Sequence, residues 1–173
     1  MLRRRLPHTL RGLSGVSVRF SSSNKVIDVD DAVHLIRPRS TVTVGGFVSM
    51  GCPEEVLEAL GRRFEHEGTP NDLTLVFQGG PGDWATRGLN HFAKPGMVKR
   101  TVGSHYGQVP MLGQLALDNK IEAYNLPQGV ITHLFRDIAA GKPGHLTRIG
   151  LGTFVDPRHG GGRINERTTD SVV

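Results

Sequence analysis

Apolar residues recur along this chain with two alternating periods. Thr41, Val42, Thr43 and Val44 form a β-branched run that suits a packed strand. Leu73 to Phe77 reads as an uninterrupted apolar strand of the kind buried in the middle of a parallel sheet. Between them Val56, Leu57, Leu60 and Phe64 return at helical spacing, predicting a helix over 53–67 closed by Gly68-Thr69-Pro70-Asn71. The same alternation predicts a strand over 98–102, a helix over 110–119 with Leu112, Leu115 and Ala116 inward, a strand over 121–124, and a helix over 131–140 stopped by Gly141 and Pro143. Ahead of the first strand, Asp28 is a fitting N-cap for a helix through Ile36, which Pro38 ends. Strand, loop, helix repeated four times implies right-handed crossovers and an α/β fold: an open, mostly parallel sheet with helices on both faces. Past Pro143 the pattern thins, and 165–173 is polar with no closing element, so the sheet is expected to be incomplete at its carboxyl end.

The four strand-end loops then share the carboxyl edge of the sheet, where such folds bind ligands. The first loop, Gly45-Gly46-Phe47-Val48-Ser49-Met50-Gly51-Cys52-Pro53, is built for one. Gly45 and Gly46 permit positive φ and leave no Cβ in a ligand's way. Pro53 is pre-set for the first helical position, and Glu54 and Glu55 follow where the helix dipole favours negative charge. The second loop is Gln78-Gly79-Gly80-Pro81-Gly82-Asp83, and the fourth is Asn125-Leu126-Pro127-Gln128-Gly129. Trp84 and Tyr106 lie in loops and either line a pocket or cover sheet edges.

Composition changes the picture at the amino end. Residues 1–23 hold Arg3, Arg4, Arg5, Arg11 and Arg19, several serines and no acid, the composition of a mitochondrial transit peptide. The expected location is the mitochondrial matrix, with the domain proper over 24–173. The 173-residue chain carries 21 Lys+Arg against 16 Asp+Glu, a net charge of +5; without the five leader arginines it is 16 against 16. The domain thus has no basic excess to attract nucleic acid, and no apolar run approaches a membrane span. One cysteine excludes an internal disulfide and a multi-cysteine metal site. Histidines 34, 66, 91, 105, 133, 145 and 159 contain no i, i+4 pair, so no helical metal site is expected.

Several familiar chemistries fail on spacing. Glycines at 45, 46 and 51 do not make a dinucleotide fingerprint, Cys52-Pro53 stands where a phosphate loop needs Lys-Ser/Thr, and Phe47 stands where a nucleophile elbow around Ser49 needs glycine. Cys52 is the tempting nucleophile, set at a helix start that lowers a thiol's pKa, but small cysteines in tight turns are commonly packing residues and no base is identifiable.

The motifs that remain form a resemblance. Gly45-Gly46-Phe47-x-x-x-Gly51-x-Pro53 resembles the glycine turn of the family I coenzyme A transferases. The stretches Asn119 to Ile131 (with Asn125-Leu126-Pro127-Gln128-Gly129), Leu134 to Gly144 (with Phe135-Arg136-Asp137-Ile138) and Gly150 to Arg158 are similar to its propionate/acetate branch, with mitochondrial succinyl-CoA:3-ketoacid transferase a more distant relative. The resemblance covers about residues 25 to 170 and implies the transferase fold, shared with ribose-phosphate isomerase. It implies CoA moving from a short-chain acyl-CoA to a free carboxylate through a glutamyl-CoA thioester, with no permanently bound cofactor. Gln128 matches the family glutamine that contacts substrate or nucleophile carboxylate, an amide donor that adds no fixed charge; its competing reading is a turn-capping amide. Gly45, Gly46 and Phe47 would shape the pocket. The departures are specific. Pro38-Arg39 stands where a turn with Asp or Asn before Gly is usual, and Pro81 replaces a residue often polar. None of glutamates 54, 55, 58, 65, 67, 122 and 166 precedes Asn-Gly, so no catalytic residue is assigned here.

The resemblance therefore implies an α-type half, oligomeric, working with a complementary β-type half or a full-length paralogue on acyl-CoA and small carboxylic acids. Two other functions compete: a non-catalytic truncated product or regulatory domain of a full-length transferase, and a sugar-phosphate isomerase-like pocket using the same loops as an anion nest.

Overall fold

A computed structural model describes residues 26–170; the leader expected at 1–23 lies outside the described residues. The elements in chain order are α1 (Val29–Val33), β1 (Thr41–Val44), α2 (Glu54–Glu67), β2 (Leu73–Phe77), a 3-10 turn (Leu89–Phe92), β3 (Val98–Gly103), α3 (Pro110–Leu117), β4 (Glu122–Asn125) and α4 (Gln128–Ala139). The strands form one parallel sheet in the order β1-β2-β3-β4, pairing Val44 with Phe77, Phe77 with Gly103 and Gly103 with Asn125 at its carboxyl edge.

Several local expectations shift: α3 ends at Leu117 rather than 119, and β4 runs Glu122–Asn125 rather than 121–124. α1 covers five residues rather than reaching Ile36, although Asp28 caps it by accepting from the Asp30 N–H. Pro53 sits at the N-cap of α2, one place before the first helical residue. α4 begins at Gln128, three residues early, because Pro127 starts a helix instead of closing a turn.

Successive strands are neighbours, so every crossover steps the same way, and crossovers of one hand fall on one face. The packing agrees. Leu57 and Leu60 of α2, Leu73, Leu75 and Phe77 of β2, and Leu112 and Leu115 of α3 share the larger core with Val33 of α1. The chain changes face only after β4: Ile131 of α4 packs with Val102, Tyr124 and Leu126, with Phe135, Val76 and Val155 around them. Among the described residues helices therefore cover both faces, α1 to α3 on one and α4 on the other.

β4 lies at one edge of the sheet, and the polar tail closes it. Thr168 Oγ1 accepts from the Ala123 N–H at 2.8 Å, Ile164 N–H donates to Ala123 O at 3.1 Å, and Asn165 Nδ2 donates to Ala116 O and Ile121 O. The tail expected to lack a closing element thus closes that edge, through an antiparallel backbone bridge between Tyr124 and Arg163 as well as through side chains. At the opposite edge stands β1.

Candidate functional site

The carboxyl edge is assembled from the four segments that follow the strands. β1 runs into a tight turn in which Phe47 and Met50 exchange both backbone hydrogen bonds at 3.0 Å. Gly46 takes φ +117, and a Cβ there would lie 3.2 Å from the Met50 carbonyl and the Cys52 backbone. Gly45 keeps ordinary φ and faces open space, so only the second glycine is demanded by geometry. Val48 adopts φ +57, a left-handed value that is strained for a β-branched residue.

The second loop brings Gly79 under Phe47. A Cβ at Gly79 would lie 2.8 Å from Phe47 Cδ2 and 3.8 Å from Gln128 Nε2. Phe47, from the β1 loop, and Gln128, from the start of α4, thus meet over one glycine of the β2 loop, and Ser104 from the β3 loop accepts the Gly79 N–H at 2.9 Å. Thr132, one turn along α4, donates to the Gln128 carbonyl at 3.0 Å and is paired with Gln78 Oε1. The Gln128 backbone is fixed in this way, while its exposed side-chain amide makes no hydrogen bond among the described residues. Two N–H donors and one carbonyl acceptor are therefore presented at the sheet edge, beside a half-exposed phenyl ring.

A carboxylate clamp supports this edge. Glu54, in the first turn of α2, accepts from the Gly88 N–H at 2.9 Å and meets His91 Nε2 at 2.8 Å and Arg87 Nε at 3.2 Å. Burial pushes its pKa upward, but His91, Gly88 and Arg87 outweigh it and hold the carboxyl below its ordinary range. The clamp ties the β2 loop to the glycine turn around a cavity of about 140 Å³ bounded by Ser49, Cys52, Glu54, Gly82, Arg87 and Gly88. Sequence reasoning treated Glu54 only as a helix-dipole residue; its partners lie more than 30 residues away and left no local signal. Burial first, and the Glu54 charge second, push the Cys52 thiol up. Cys52 packs against the core while bordering the cavity.

Tyr106 is a strut. Its ring meets Phe77 edge-on at 5.4 Å, and its hydroxyl donates to Tyr124 O at 2.8 Å with Thr101 Oγ1 at 3.0 Å. Burial pushes its pKa up to about 12. Trp84 is exposed at the loop tip with φ +64. Among the described residues no group of three or more His, Cys, Asp or Glu is placed to hold a metal ion, and no helix is long and apolar enough to cross a membrane.

Residues 26–171 match the family described as Coenzyme A transferase. The chain belongs to the coenzyme A transferase family. Caffeate CoA-transferase of Acetobacterium woodii is 41% identical over 149 residues, covering 86% of this CoA-transferase chain and 28% of that protein. Acetate CoA-transferase subunit alpha of Escherichia coli (strain K12) is 30% identical over 132 residues, 76% of this chain and 57% of the subunit. The crystal structure of the acyl-CoA transferase YdiF from Escherichia coli O157:H7 superposes with a TM-score of 0.81 at 39% identity, covering 84% of this chain and 28% of that one. This CoA-transferase chain thus spans between 28% and 57% of the length of these relatives. The α/β architecture read from the apolar pattern is that of YdiF over the shared region.

Proposed function

We propose that this chain is the amino-terminal, α-type portion of a CoA transferase that exchanges CoA between a short-chain acyl-CoA and a free carboxylate. The observation that carries this reading is the meeting of Phe47, Gly79 and Gln128 at the carboxyl edge of a CoA-transferase sheet. In this reading the attacking glutamate comes from a complementary β-type half. It attacks the thioester carbonyl and expels CoA thiolate, giving an acyl-glutamyl anhydride. The thiolate then attacks the glutamyl carbonyl and releases the acyl carboxylate, leaving glutamyl-CoA for the acceptor acid to resolve. The Gln128 amide donates to a carboxylate of substrate or nucleophile and adds no charge that would trap it. The glycine turn and Phe47 form the wall beside it. The arginine-rich leader supports action in the mitochondrial matrix, which fusion of residues 1–23 to a fluorescent protein tests directly.

The decisive assay is acyl-CoA:acetate exchange by the purified chain with and without a β-type half. Turnover is expected only with both, and Gln128→Ala is expected to lower kcat/KM by roughly ten- to a hundredfold, the loss of one or two charge-assisted hydrogen bonds. Turnover by the lone chain, unchanged by any partner, overturns the proposal.

A further inference from the structure

Beyond α4 the described residues form no further helix or strand, and two buried carboxylates organise them. Asp137, on α4 itself, meets Lys142 Nζ at 2.8 Å and His145 Nδ1 at 2.7 Å. These partners draw its carboxyl down to about 2 and strap the following segment to the helix. Asp156 lies in the stretch Gly150 to Arg158, to which the proposed chemistry gives no part. It is 1% exposed, and its carboxylate takes the Gly152 N–H at 2.8 Å, the Arg158 N–H at 3.0 Å, Arg158 Nε at 2.9 Å and Arg158 Nη2 at 2.6 Å. The Arg158 guanidinium first, and the Gly152 N–H after it, hold this carboxyl well below the usual carboxylate range. The Asp156 carbonyl accepts from the N–H groups of His159, Gly160 and Gly161 as well. One residue thus gathers 152–161 into a compact loop.

That loop ends against the strand that leads to Gln128. Gly162 N–H donates to Phe154 O at 3.1 Å, and Gly162 O accepts from the N–H of Asn125, the last residue of β4, at 2.7 Å. Val155 packs beside Leu126 and Ile131. No side chain fits at 162: φ is +77, and a Cβ would lie 2.7 Å from Leu126 Cδ2 and 2.9 Å from Asn125 O. Asn125 is held from its other side too. Its side-chain amide donates to Ser104 O at 2.9 Å and Gly103 O at 3.2 Å, and Ser104 is the residue whose hydroxyl holds Gly79. Between Asn125 and Gln128 there is little slack. Leu126 is buried with its N–H on Gly103 O at 2.9 Å, and the ring of Pro127 fixes its φ. A displacement of Asn125 is therefore passed on to Gln128 rather than absorbed.

We propose that Asp156 is a positioning residue for Gln128: its hydrogen bonds set Gly162 against Asn125, and so set where the Gln128 amide stands. This rests on the role of Gln128 in the proposed function and adds the residue that places it. The exposed amide makes no hydrogen bond of its own among the described residues, so its place is inherited from the backbone behind it.

The test uses the full chain carrying Asp156→Asn, which keeps the shape but turns donors toward the Arg158 guanidinium. Hydrogen exchange at the Asn125 amide is expected to accelerate at least tenfold while β2 amides keep the parent rate. The Gln128 side-chain amide resonance, beside the Phe47 ring, should shift. With a β-type half, Asp156→Asn should lower kcat/KM about tenfold, no more than Gln128→Ala does. In the Gln128→Ala background the same change should cost less than about twofold, because the amide it places is gone. A carboxylate that merely held the fold together would give losses that multiply. If Asp156→Asn does not fold, Gly162→Ala displaces Asn125 from the facing side and carries the same readings. Unchanged exchange at Asn125, an unmoved Gln128 resonance, or losses that multiply overturn the positioning role and leave the proposed function standing. No turnover by the parent chain with a β-type half overturns the proposed function, and the Asn125 and Gln128 signals of the lone chain then decide the positioning.

Discussion

Replacing Gly103 with alanine isolates a steric demand at the heart of the sheet edge. Gly103 ends β3 directly opposite Phe77 of β2, and its φ is not in the left-handed region, so the substitution tests space alone. A Cβ there would lie 2.6 Å from Phe77 Cε2, 3.1 Å from Cε1 and closer still to Cζ. Ordinary carbon contacts begin about 0.9 Å farther out than the Cε2 distance. Phe77 has no room to withdraw: it is fully buried and held edge-on by Tyr106. Overpacking of a rigid core costs typically 1–3 kcal/mol, and the size of this overlap places Gly103→Ala near the upper end, about 3 kcal/mol. For a domain of this size that lowers the melting temperature by roughly 6–12 °C. The control is Phe77→Leu, which removes the offending ring atoms. Alone it should destabilise by about 1–2 kcal/mol, and in the double variant the two losses should fall short of their sum by about 1–2 kcal/mol. Urea denaturation of all four proteins measures the cycle. A Gly103→Ala melting point within 1 °C of the parent, or strict additivity with Phe77→Leu, refutes the reasoning.

Other expectations follow from the same packing. Tyr106→Phe keeps the ring but strands the Tyr124 carbonyl, and should cost about 1–2 kcal/mol in urea denaturation; a loss under 0.3 kcal/mol would show that the strut is dispensable. Thr168→Val preserves shape while removing the hydroxyl that takes the Ala123 N–H, so hydrogen exchange at Ala123 should accelerate at least tenfold, with β2 amides unaffected. The Asp137 carboxyl is held at about 2 in the folded chain, below its ordinary 3.8. Its contribution is therefore fully present above pH 4 and lost as pH falls toward 2, and Asp137→Asn should flatten the acid limb of stability in that window. Glu54→Gln should loosen the loop over 82–91, seen as raised proteolysis near Arg87; unchanged cleavage would mean the clamp carries no tension.

How far the sequence led can be judged element by element. β1 and β2 fall where their β-branched and apolar runs predict; in β2 every second residue is buried and the others are half-buried, whereas edge strand β1 buries only Val44 and is marked by its β-branched residues. β4 is displaced by one place, from 121–124 to Glu122–Asn125, since Ile121 serves the core without joining the ladder. The start of α4 was hidden because Pro127-Gln128-Gly129 has the composition of a turn, and a helix's first residues need no internal hydrogen bonds that would betray them. The tail's role was illegible for another reason. Thr168 and Asn165 act on backbone atoms 44 to 49 residues upstream, and polar side chains used this way carry no periodicity. The site divides similarly. The glycine turn and Gln128 could be picked out as motifs, but their meeting over Gly79 depends on sheet register across more than 80 residues. The Glu54 clamp and the Asp137 strap are likewise long-distance or post-helical pairings that only the fold reveals.

The first strand stands at an edge of the sheet with no strand on its outer flank among the described residues. An open flank is a template on which a second chain can add its own strand. Here that template is four residues long, and it is preceded by Arg37, Pro38 and Arg39, the last in a left-handed bend. A proline lacks the donor that strand addition requires, and paired cations repel a like neighbour. The departure from the usual turn at 38–39 is therefore expected to disfavour strand addition at this edge. Replacing both residues with valine and threonine should raise aggregation seeded from this edge, read as a shortened lag in thioflavin fluorescence; an unchanged lag refutes the reasoning.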